Sequence, residues 1–528
     1  MNLADGKISK RQWFRMSYLE CVTISMMMIP YITLSLAGKY HVLALVVGLA
    51  FVVFYGALMF FLADFVPCGY INAIRNHMGW TAGILDVLYA LRYLLRATLI
   101  AVFFSMILQR YLLQSFSVWW IFLPFLEITL YGASKSMEAR GRMFEFLFGW
   151  MVVPLILIVV FSVSNIDVGA IMQGITSQSD VSGVFKGAYA ILLALSPLEL
   201  QLYSRPCVKE KDRMGGIWLL VWILFTIVFA YLFIVAILGY GWTASDTTAS
   251  FNVMEAASFP GGAVARLDYP VMAFWIIGVF AVVSGYLHQT RDFLYSLCEV
   301  KHICGRALTF VVMSAFACLF AYGMQFESVV KYGMRYFLYA DLAIGIIFPL
   351  IVMWVKTKKR VKWGIGFVCL TVLAAVGSVW IGNEKLGRQF IQNDFTASEQ
   401  KKETLEYRDY VLEMQVETAK DGYQFTFVIA DIAGYEGENS IKQTLYHVQA
   451  DSLEMAADLY RRENERQLDF GHMKQIAADM TGQEIHPLLL ELGHRSGISK
   501  SIPVMMETDG AKYILREMIK AAYGRESL

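Results

Sequence analysis

The feature that most constrains this chain is a series of apolar runs, each about twenty residues long, that recurs through residues 16–381. A helix of about twenty apolar residues spans the hydrocarbon core of a bilayer. The composition agrees, because 57% of the 528 residues are hydrophobic and only 17% are charged, whereas about a quarter of a soluble domain is charged. The sequence therefore predicts a polytopic α-helical membrane protein.

Eleven apolar runs predict eleven transmembrane helices. Counted with the N-terminus in the cytoplasm, the connecting segments on that side hold twenty Lys and Arg, and those on the other side hold five before the tail. The positive-inside rule fixes this orientation. Ten helices end in the cytoplasm at "VKTKKRVK", and the eleventh returns outward, so residues 382–528 are expected outside. The expected helices are 16–37, 41–63, 83–111, 117–134, 144–164, 184–204, 216–241, 268–289, 306–324, 334–355 and 363–381.

Ten core helices predict two inverted five-helix repeats, in which the first helix of each half is often broken around a substrate site. Pro30 in the first helix and Pro197 in the sixth hold matching places. A proline removes one helical hydrogen bond, although many membrane prolines are simple kinks. Glu199 could meet an ammonium group, a proton or a cation, or could be the structural partner of an arginine. The candidate ligand pocket comprises Ser25, Met28, Pro30, Ser196, Pro197 and Glu199.

Charged residues within the apolar runs are costly unless they are paired. Arg92 and Arg96 share one helix face, being four residues apart, and Glu127 and Glu199 are their natural partners. Asp341 is a single acid that we expect to face water or a partner. A buried ion-pair cluster that locks helices together is the simpler interpretation, and an ion or proton pathway is the alternative. The predicted charge network comprises Arg92, Arg96, Glu127, Glu199 and Asp341.

Several function classes find no support in the sequence. The net charge of +1 gives no reason to expect nucleic-acid binding. We find no P-loop, no H-E-x-x-H motif and no G-x-S-x-G motif, and His and Cys lack metal-ligand spacing. An enzyme, a cofactor and a metal are therefore not expected. The outer segment 242–267 could cover the pocket as a lid, but a plain solvated loop is slightly favoured.

The polar C-terminal part predicts a small mixed α/β domain with its own core. "RDYVLEMQVE" and "YQFTFVIADI" alternate like strands, and Asn439–Ser440 could cap a helix with an apolar stripe that includes Leu445 and Val448. A strand at 470–478, a helix at 484–494, a strand at 501–507 and a helix from 509 are expected next. The predicted units are a core at 1–356, an eleventh helix at 357–382, a linker at 383–404 and an extracytoplasmic domain at 405–528.

Four stretches of residues 7–356 resemble the B subunit of spore germination receptors, which are permease-like proteins of the amino acid–polyamine–organocation superfamily. They are "GKISKRQ", "YGASKSMEARGR", "LELQLYSRP" and "ARLDYPVMAFW". The family usually has small residues in helix one and before the helix-six Glu, where this chain reads "SMMMIP" and "LSPLE". The family-motif positions in this core are Arg140, Pro206, Arg266, Asp268 and Trp275, beside Glu199.

The tail resembles the N-terminal domain of the germination receptor C subunit, through "ERQLDFGHMKQI", "LLLELGHRSGISKSIPVMM" and "GAKYIL". His472 and Arg495 fall in these motifs. A structural role is favoured for both, and contact with a partner is the alternative. The family's C subunit is a lipoprotein on the outer face of the inner membrane. This tail has no lipobox Cys, so the eleventh helix would replace the lipid anchor.

The resemblance implies a nutrient receptor subunit in the inner membrane of spores. Its core would bind a small nutrient, an amino acid in the family's manner, and its outer domain would dock an A-type subunit or another C-type chain. Two alternatives stay open. The chain could be a secondary amino acid transporter with an outer accessory domain, or a scaffold whose pocket is vestigial.

Overall fold

The fold comes from a computed structural model of the whole chain. We describe residues 6–65, 69–78, 81–113, 116–167, 181–209, 213–246, 248–256, 268–298, 303–323, 341, 344–350, 408–419, 422–431, 442–464, 466–479, 485–495, 498–506 and 510–526. Most of the predicted tenth helix, the whole predicted eleventh helix and the predicted linker lie outside these residues.

The N-terminal part is a bundle of long helices. Its helices are α1 Lys10–Ala37, α2 His41–Phe65, α3 Tyr70–Met78, α4 Thr81–Tyr111, α5 Val118–Ser134, α6 Met137–Ser162, α7 Val181–Ala194, α8 Gln201–Ser204, α9 Arg213–Leu238, α10 Tyr240–Ser245, α11 Ala249–Ala256, α12 Asp268–Cys298 and α13 Ile303–Gly323. Short 3₁₀ turns cover Gly38–Tyr40, Val163–Asn165, Ser196–Leu200 and Arg205–Cys207. A further helical segment occupies 344–350.

Within the described residues, five helices are long and apolar enough to cross a membrane. A sixth candidate span consists of two pieces, Gly183–Ala194 and Ser196–Cys207, bent by 41° at their junction. Apolar runs set these elements, and their ends agree with the sequence to within a few residues for most spans. Three helices extend further: α12 continues to Cys298, α6 begins at Met137, and α1 begins at Lys10. At α1 a capping box between Ser9 and Gln12 starts the helix. The inverted-repeat relation stays a prediction.

One end of the bundle collects the segments that charge counting assigns to the cytoplasm. The backbone of Ile8 bonds to Cys207 and Lys209, which joins the N-terminus to the end of the sixth span. Nearby, Arg205 forms a bidentate pair with Asp64 at 2.9 and 3.0 Å. These contacts tie the start of α1, the end of α2 and the turn after α8 into one face.

The described part of the predicted outer segment, 242–246 and 248–256, differs from its favoured interpretation as a solvated loop, and 257–267 lie outside the described residues. It forms α10 and α11, which pack on α1. Trp242 and Thr243 of α10 are buried, and so are all side chains of α11 from Ala249 to Met254. A polar cluster makes this burial possible. Asp246 accepts hydrogen bonds from the Thr248 backbone (2.7 Å), the Thr248 hydroxyl (2.6 Å) and the Asn252 amide (2.6 Å). Because these three groups satisfy one another, this part of the segment can leave water, whereas the indole N–H of Trp242 in α10 is buried without a hydrogen-bond partner.

The C-terminal part is a seven-stranded mixed sheet with helices packed against it. The strands are β1 Arg408–Thr418, β2 Tyr423–Asp431, β3 Lys442–Ala450, β4 Gln467–Asp469, β5 Gln475–Asp479, β6 Pro503–Met506 and β7 Lys512–Ile514, and the helices are α14 Leu453–Asn464, α15 His486–His494 and α16 Leu515–Glu526. The order is β3-β2-β1-β5-β6-β7, with β4 also on β1. Strand β1 pairs antiparallel with β2 and parallel with β5.

Two sequence predictions in this domain are wrong. The stretch containing Leu445 and Val448 is a strand, not the start of a helix, because it pairs with β2 along its whole length. The helix begins only at Leu453. Likewise, β7 precedes the last helix, which begins at Leu515 instead of near 509. In both places cross-strand pairing decides the conformation, and this pairing is not visible in the local pattern.

The sheet domain contacts the end of the bundle opposite the N-terminus. The rings of Trp242 and Tyr523 stack at a centroid distance of 6.2 Å, and Lys520 bonds to Asp167 at 2.5 Å. Gly241 allows the close approach, because a Cβ there would lie 2.6 Å from the Tyr523 carbonyl oxygen. The domain therefore rests on α10 and on the end of the segment that follows α6.

Candidate functional site

The candidate site lies where the sixth span breaks. Pro197 has no amide hydrogen to bond the carbonyl four residues earlier, and the chain passes from α7 into the 3₁₀ turn Ser196–Leu200. Glu199 lies in this turn and is 1% exposed. The break thus places a carboxylate inside the bundle, next to backbone that is not in regular helical bonding.

Glu199 belongs to a buried group of two arginines and two carboxylates, which we call the charge quartet: Arg92, Arg96, Glu199 and Asp341. Arg92 donates to Asp341 at 2.8 Å and to Glu199 at 2.7 Å. Arg96 pairs with the other oxygens of the same two carboxylates. All four side chains are at most 3% exposed. The structure therefore brings together four of the five residues of the predicted network.

Glu127, the fifth residue, lies outside the quartet. It is on the exposed face of α5 and accepts a hydrogen bond from Ser314 of α13 at 2.6 Å. The face of α5 that turns inward carries Phe122, Leu126 and Thr129 instead. Asp341, which we expected to face water or a partner, pairs with the two arginines instead of Glu127.

The quartet is electrically neutral, with two positive and two negative charges. Each guanidinium contacts both carboxylates, so no full charge is left uncompensated in the membrane interior. Removing any one member would leave an unpaired buried charge, and such losses cost about 3–5 kcal/mol. The arrangement can hold the helices together, and it can also exchange one internal pair for a ligand of the same charge pattern.

Tyrosine rings surround the quartet. The Arg92 guanidinium lies 5.2 Å from the Tyr93 ring centre, and that of Arg96 lies 5.1 Å from the Tyr286 ring centre. Tyr286 also accepts a hydrogen bond from Arg96 at 2.9 Å, and Tyr93 bonds Tyr203 at 2.9 Å. Desolvated cation–π contacts stabilise by about 2 kcal/mol. These rings shield the charges from lipid and water.

The helical segment 344–350 closes one side of the quartet. A Cβ at Gly345 would lie 2.6 Å from Arg92 Nη2 and 3.0 Å from Glu199 Oε2. Only glycine lets this backbone lie directly against the ion pair. The quartet is thus enclosed by α4, the broken span, α12 and this segment.

The other predicted pocket residues are buried but do not join the quartet contacts. Ser25 donates to the Cys21 carbonyl at 2.7 Å, within its own helix. Met28 is half-buried, and Pro30 lies inside a continuous α1. Ser196 and Pro197 begin the 3₁₀ turn that carries Glu199. Of the predicted pocket residues, only those of the sixth span, Ser196, Pro197 and Glu199, therefore lie in the turn at the charge quartet.

Pro30 does not break α1, and a side chain from α11 explains why. The missing amide hydrogen of Pro30 leaves the Met26 carbonyl without its helical partner. The Ser250 hydroxyl lies 3.1 Å from the Met26 oxygen and 3.0 Å from the Met27 oxygen. The outer segment thus supplies the hydrogen bond that the proline removes.

The family-motif residues have separate positions. Arg140 of α6 is buried and donates to the Ser284 carbonyl at 2.9 Å and to Glu20 at 3.3 Å. Pro206 lies in the last 3₁₀ turn of the sixth span, and Asp268 begins α12. Arg266 lies outside the described residues. Trp275 is 2% exposed and contacts Phe251 at a ring-centre distance of 6.1 Å.

In the outer domain, His472 and Arg495 have local contacts. His472 is exposed in the turn after β4, and its ring meets Tyr410 edge-on at 5.1 Å. Arg495 follows α15, and its guanidinium lies 4.7 Å from the Phe470 ring centre. Burial lowers the pKa of Arg495. Their role in partner binding stays a prediction.

Sequence reasoning missed three contributors to this region. Tyr93 and Tyr286 enclose the arginines, and Ser250 completes α1. Tyr93 could have been suspected, because it lies between Arg92 and Arg96 on one helix. The other two lie on distant segments, and their local sequence carries no signal. Among the described residues, no group of three or more His, Cys, Asp or Glu side chains could hold a metal ion.

Comparisons with known proteins identify the family. The fold is similar to the crystal structure of a mutant manganese transporter from Eremococcus coleocola, with 13% sequence identity and a TM-score of 0.45, over 71% of this chain and 88% of that chain. No curated protein matches the sequence. The family model described as spore germination protein, a spore permease, matches residues 7–328, which is more than half of the chain. The chain is therefore a multi-pass, permease-like membrane protein and not an enzyme, and it belongs to the spore germination protein family.

Proposed function

We propose that this chain is a nutrient receptor subunit of spore germination, which binds a small amino acid at the break of the sixth span. In this proposal a B-type core and a C-type outer domain are joined in one polypeptide. The chain lies in the inner membrane of the spore with its N-terminus in the cytoplasm. Membership of the spore germination family supports the process, and the site supports the ligand class.

The observation that carries the proposal is the neutral charge quartet beside an irregular backbone turn. A free amino acid has one carboxylate and one ammonium group. Its carboxylate can replace Asp341 or Glu199 as partner of an arginine, and its ammonium group can pair with the carboxylate released. The net charge inside the membrane does not change during this exchange, so no unpaired charge is buried. A ligand with a single net charge lacks this advantage.

Binding would shift the bundle between two states. With the four side chains paired to one another, α4 and the sixth span are held to Asp341. An amino acid that takes over some of these bonds releases that link. The shift can be no larger than the difference in the ligand's affinity for the two states.

The position of the outer domain supports an extracytoplasmic side for it. The domain contacts Asp167 and Trp242, both in segments that charge counting places outside. It also contacts α10, which is followed by α11 and the Ser250 bond to α1. A movement of α1 could therefore reach the outer domain through two short helices.

The outer domain also offers a surface for a partner chain. Strand β3 is an edge of the sheet, and Leu445 on it is 60% exposed. An exposed edge with an apolar side chain is suited to pairing with another chain. We propose an A-type subunit or a second C-type chain as the partner. Affinity purification from spore membranes, with Leu445→Lys as the variant, tests this surface.

A secondary amino acid transporter is the alternative, and one experiment separates the two functions. The purified full-length chain is placed in liposomes with labelled amino acids, and equilibrium binding and time-dependent uptake are both measured. The receptor proposal expects saturable binding that reaches at most one ligand per chain, without accumulation in the lumen. Accumulation beyond that stoichiometry, driven by an ion gradient, would establish the transporter instead. Absence of any amino acid binding would contradict both.

A further inference from the structure

A second cavity, separate from the charge quartet, lies between α1, α6, α9 and α11. Its volume is about 300 Å³. Its walls include Leu19 and Met26 of α1, Met151 of α6, Phe233 of α9 and Met254 of α11. Among the described residues, no Asp, Glu, Lys, Arg or His lines it. A zwitterionic amino acid would bury both charges there without partners, which is strongly unfavourable.

The cavity opens on the membrane-facing side of the bundle. Three of its lining residues are also exposed on the surface of the helix bundle: Ile156 is 55% exposed, Val160 57% and Phe229 41%. These three residues lie on helices that are long and apolar enough to cross a membrane. Exposed apolar side chains on such helices face lipid. Whatever enters from this side therefore comes from the bilayer.

One unpartnered polar group marks the cavity. Trp275 of α12 lines it and is 2% exposed, yet its indole N–H has no hydrogen-bond partner. The other polar side chains there are satisfied: Tyr18 and Thr226 bond each other at 2.7 Å, and Ser250 bonds the carbonyls of α1. A buried donor without an acceptor is costly. The cavity therefore suits a long apolar chain with a single hydrogen-bond acceptor.

We propose that this cavity binds one acyl chain of a membrane lipid, with an ester carbonyl oxygen accepting the Trp275 indole N–H. The wall along α1 runs from Tyr18 to Met26, which is about 12 Å of helix, so the cavity is elongated along the span. The acyl chain contacts α1, α6 and α9 together, beside the Met26 carbonyl that Pro30 leaves free and Ser250 bonds. Bound lipid thus stabilises the position of α1 relative to its neighbours.

The test uses the full-length protein in nanodiscs that contain a phospholipid with a diazirine in the middle of one acyl chain. After photolysis, peptide mass spectrometry maps the labelled residues. Ala230→Trp fills the cavity, since Ala230 lines it and is 4% exposed. Leu232→Trp on the same helix is the control, because Leu232 is 41% exposed and does not line the cavity. We expect labelling of the α6 and α9 peptides to fall at least fivefold in Ala230→Trp and to stay unchanged in Leu232→Trp.

A second measurement covers the case in which Ala230→Trp does not fold. Trp275→Phe keeps the ring and removes only the donor, and we expect it to retain several-fold less co-purified phospholipid than the unsubstituted chain. Labelling or retention that is equal in all variants would overturn the proposal. It would also be overturned if p-benzoylphenylalanine at position 229 crosslinked to residues 351–407 of the same chain instead of to lipid, or if free leucine competed with the labelling.

Discussion

Two prolines at matching sequence positions have different effects in this bundle. At Pro197 the helix breaks, the chain bends by 41°, and Glu199 enters a 3₁₀ turn beside two arginines. At Pro30 the helix continues, because Ser250 bonds the carbonyl that the proline leaves free. A membrane proline therefore does not by itself break a helix, because a neighbouring hydroxyl can bond the carbonyl that the proline leaves free. At Pro197 the irregular backbone lies beside a charge network instead.

The largest expected effect concerns the break at Pro197. Glu199→Ala leaves two arginines facing only Asp341, so the buried charge becomes unbalanced. We expect a loss of about 3–5 kcal/mol in the free energy of unfolding, the usual result of breaking a buried pair. Denaturant unfolding in detergent measures it.

A double variant sharpens this prediction. Glu199→Gln with Arg96→Gln removes one charge of each sign, so we expect it to cost less than the sum of the two single changes. Additive losses would show that Glu199 and Arg96 are not energetically coupled, which would contradict the quartet.

The next effect tests the tight approach of the segment 344–350 to the quartet. Gly345→Ala places a methyl group against Arg92 and Glu199, and overpacking of this kind costs about 1–3 kcal/mol. Gly149→Ala on α6 is the matched control, because its Cβ meets open space. Equal melting temperatures for both variants would mean that the segment does not close the site.

The next prediction concerns the hydrogen bond that compensates for Pro30. Ser250→Ala removes the donor to the Met26 carbonyl, and an orphaned buried group costs about 1–3 kcal/mol. In a Pro30→Ala background the helix regains its own amide donor, so the same change should then cost much less. Thermal unfolding of the four variants measures this interaction. If Ser250→Ala costs the same in both backgrounds, the hydroxyl does not compensate for the proline.

The smallest effect is expected at the outer domain. Lys520 bonds Asp167, whose side chain is 49% exposed, and such ion pairs contribute about 0.2–1 kcal/mol. Lys520→Ala should therefore weaken docking slightly, and added salt should remove the difference. Limited proteolysis between the bundle and the domain, with and without salt, provides the measurement. A large loss of protection at high salt would require a different account of the docking.

The sequence allowed most of the bundle to be predicted, because apolar runs of bilayer length leave few alternatives. The same holds for Arg92, Arg96 and Glu199, whose charges demand partners in lipid. The choice of Asp341 over Glu127 could not be predicted, since it depends on which face of α5 turns inward. The burial of α10 and α11 was equally hidden, because Asp246, Thr248 and Asn252 resemble a solvated loop until they bond one another. Strand β3 was mistaken for a helix because its register is set by β2.

The proposed receptor function requires that an amino acid binds at the broken sixth span by exchanging partners with the charge quartet. Equilibrium binding of labelled amino acids to the full-length chain in nanodiscs tests it most directly, with Glu199→Gln and Glu127→Gln as matched acid-to-amide changes. We expect binding to be lost in Glu199→Gln and unchanged in Glu127→Gln. Unchanged binding in a folded Glu199→Gln protein would contradict it.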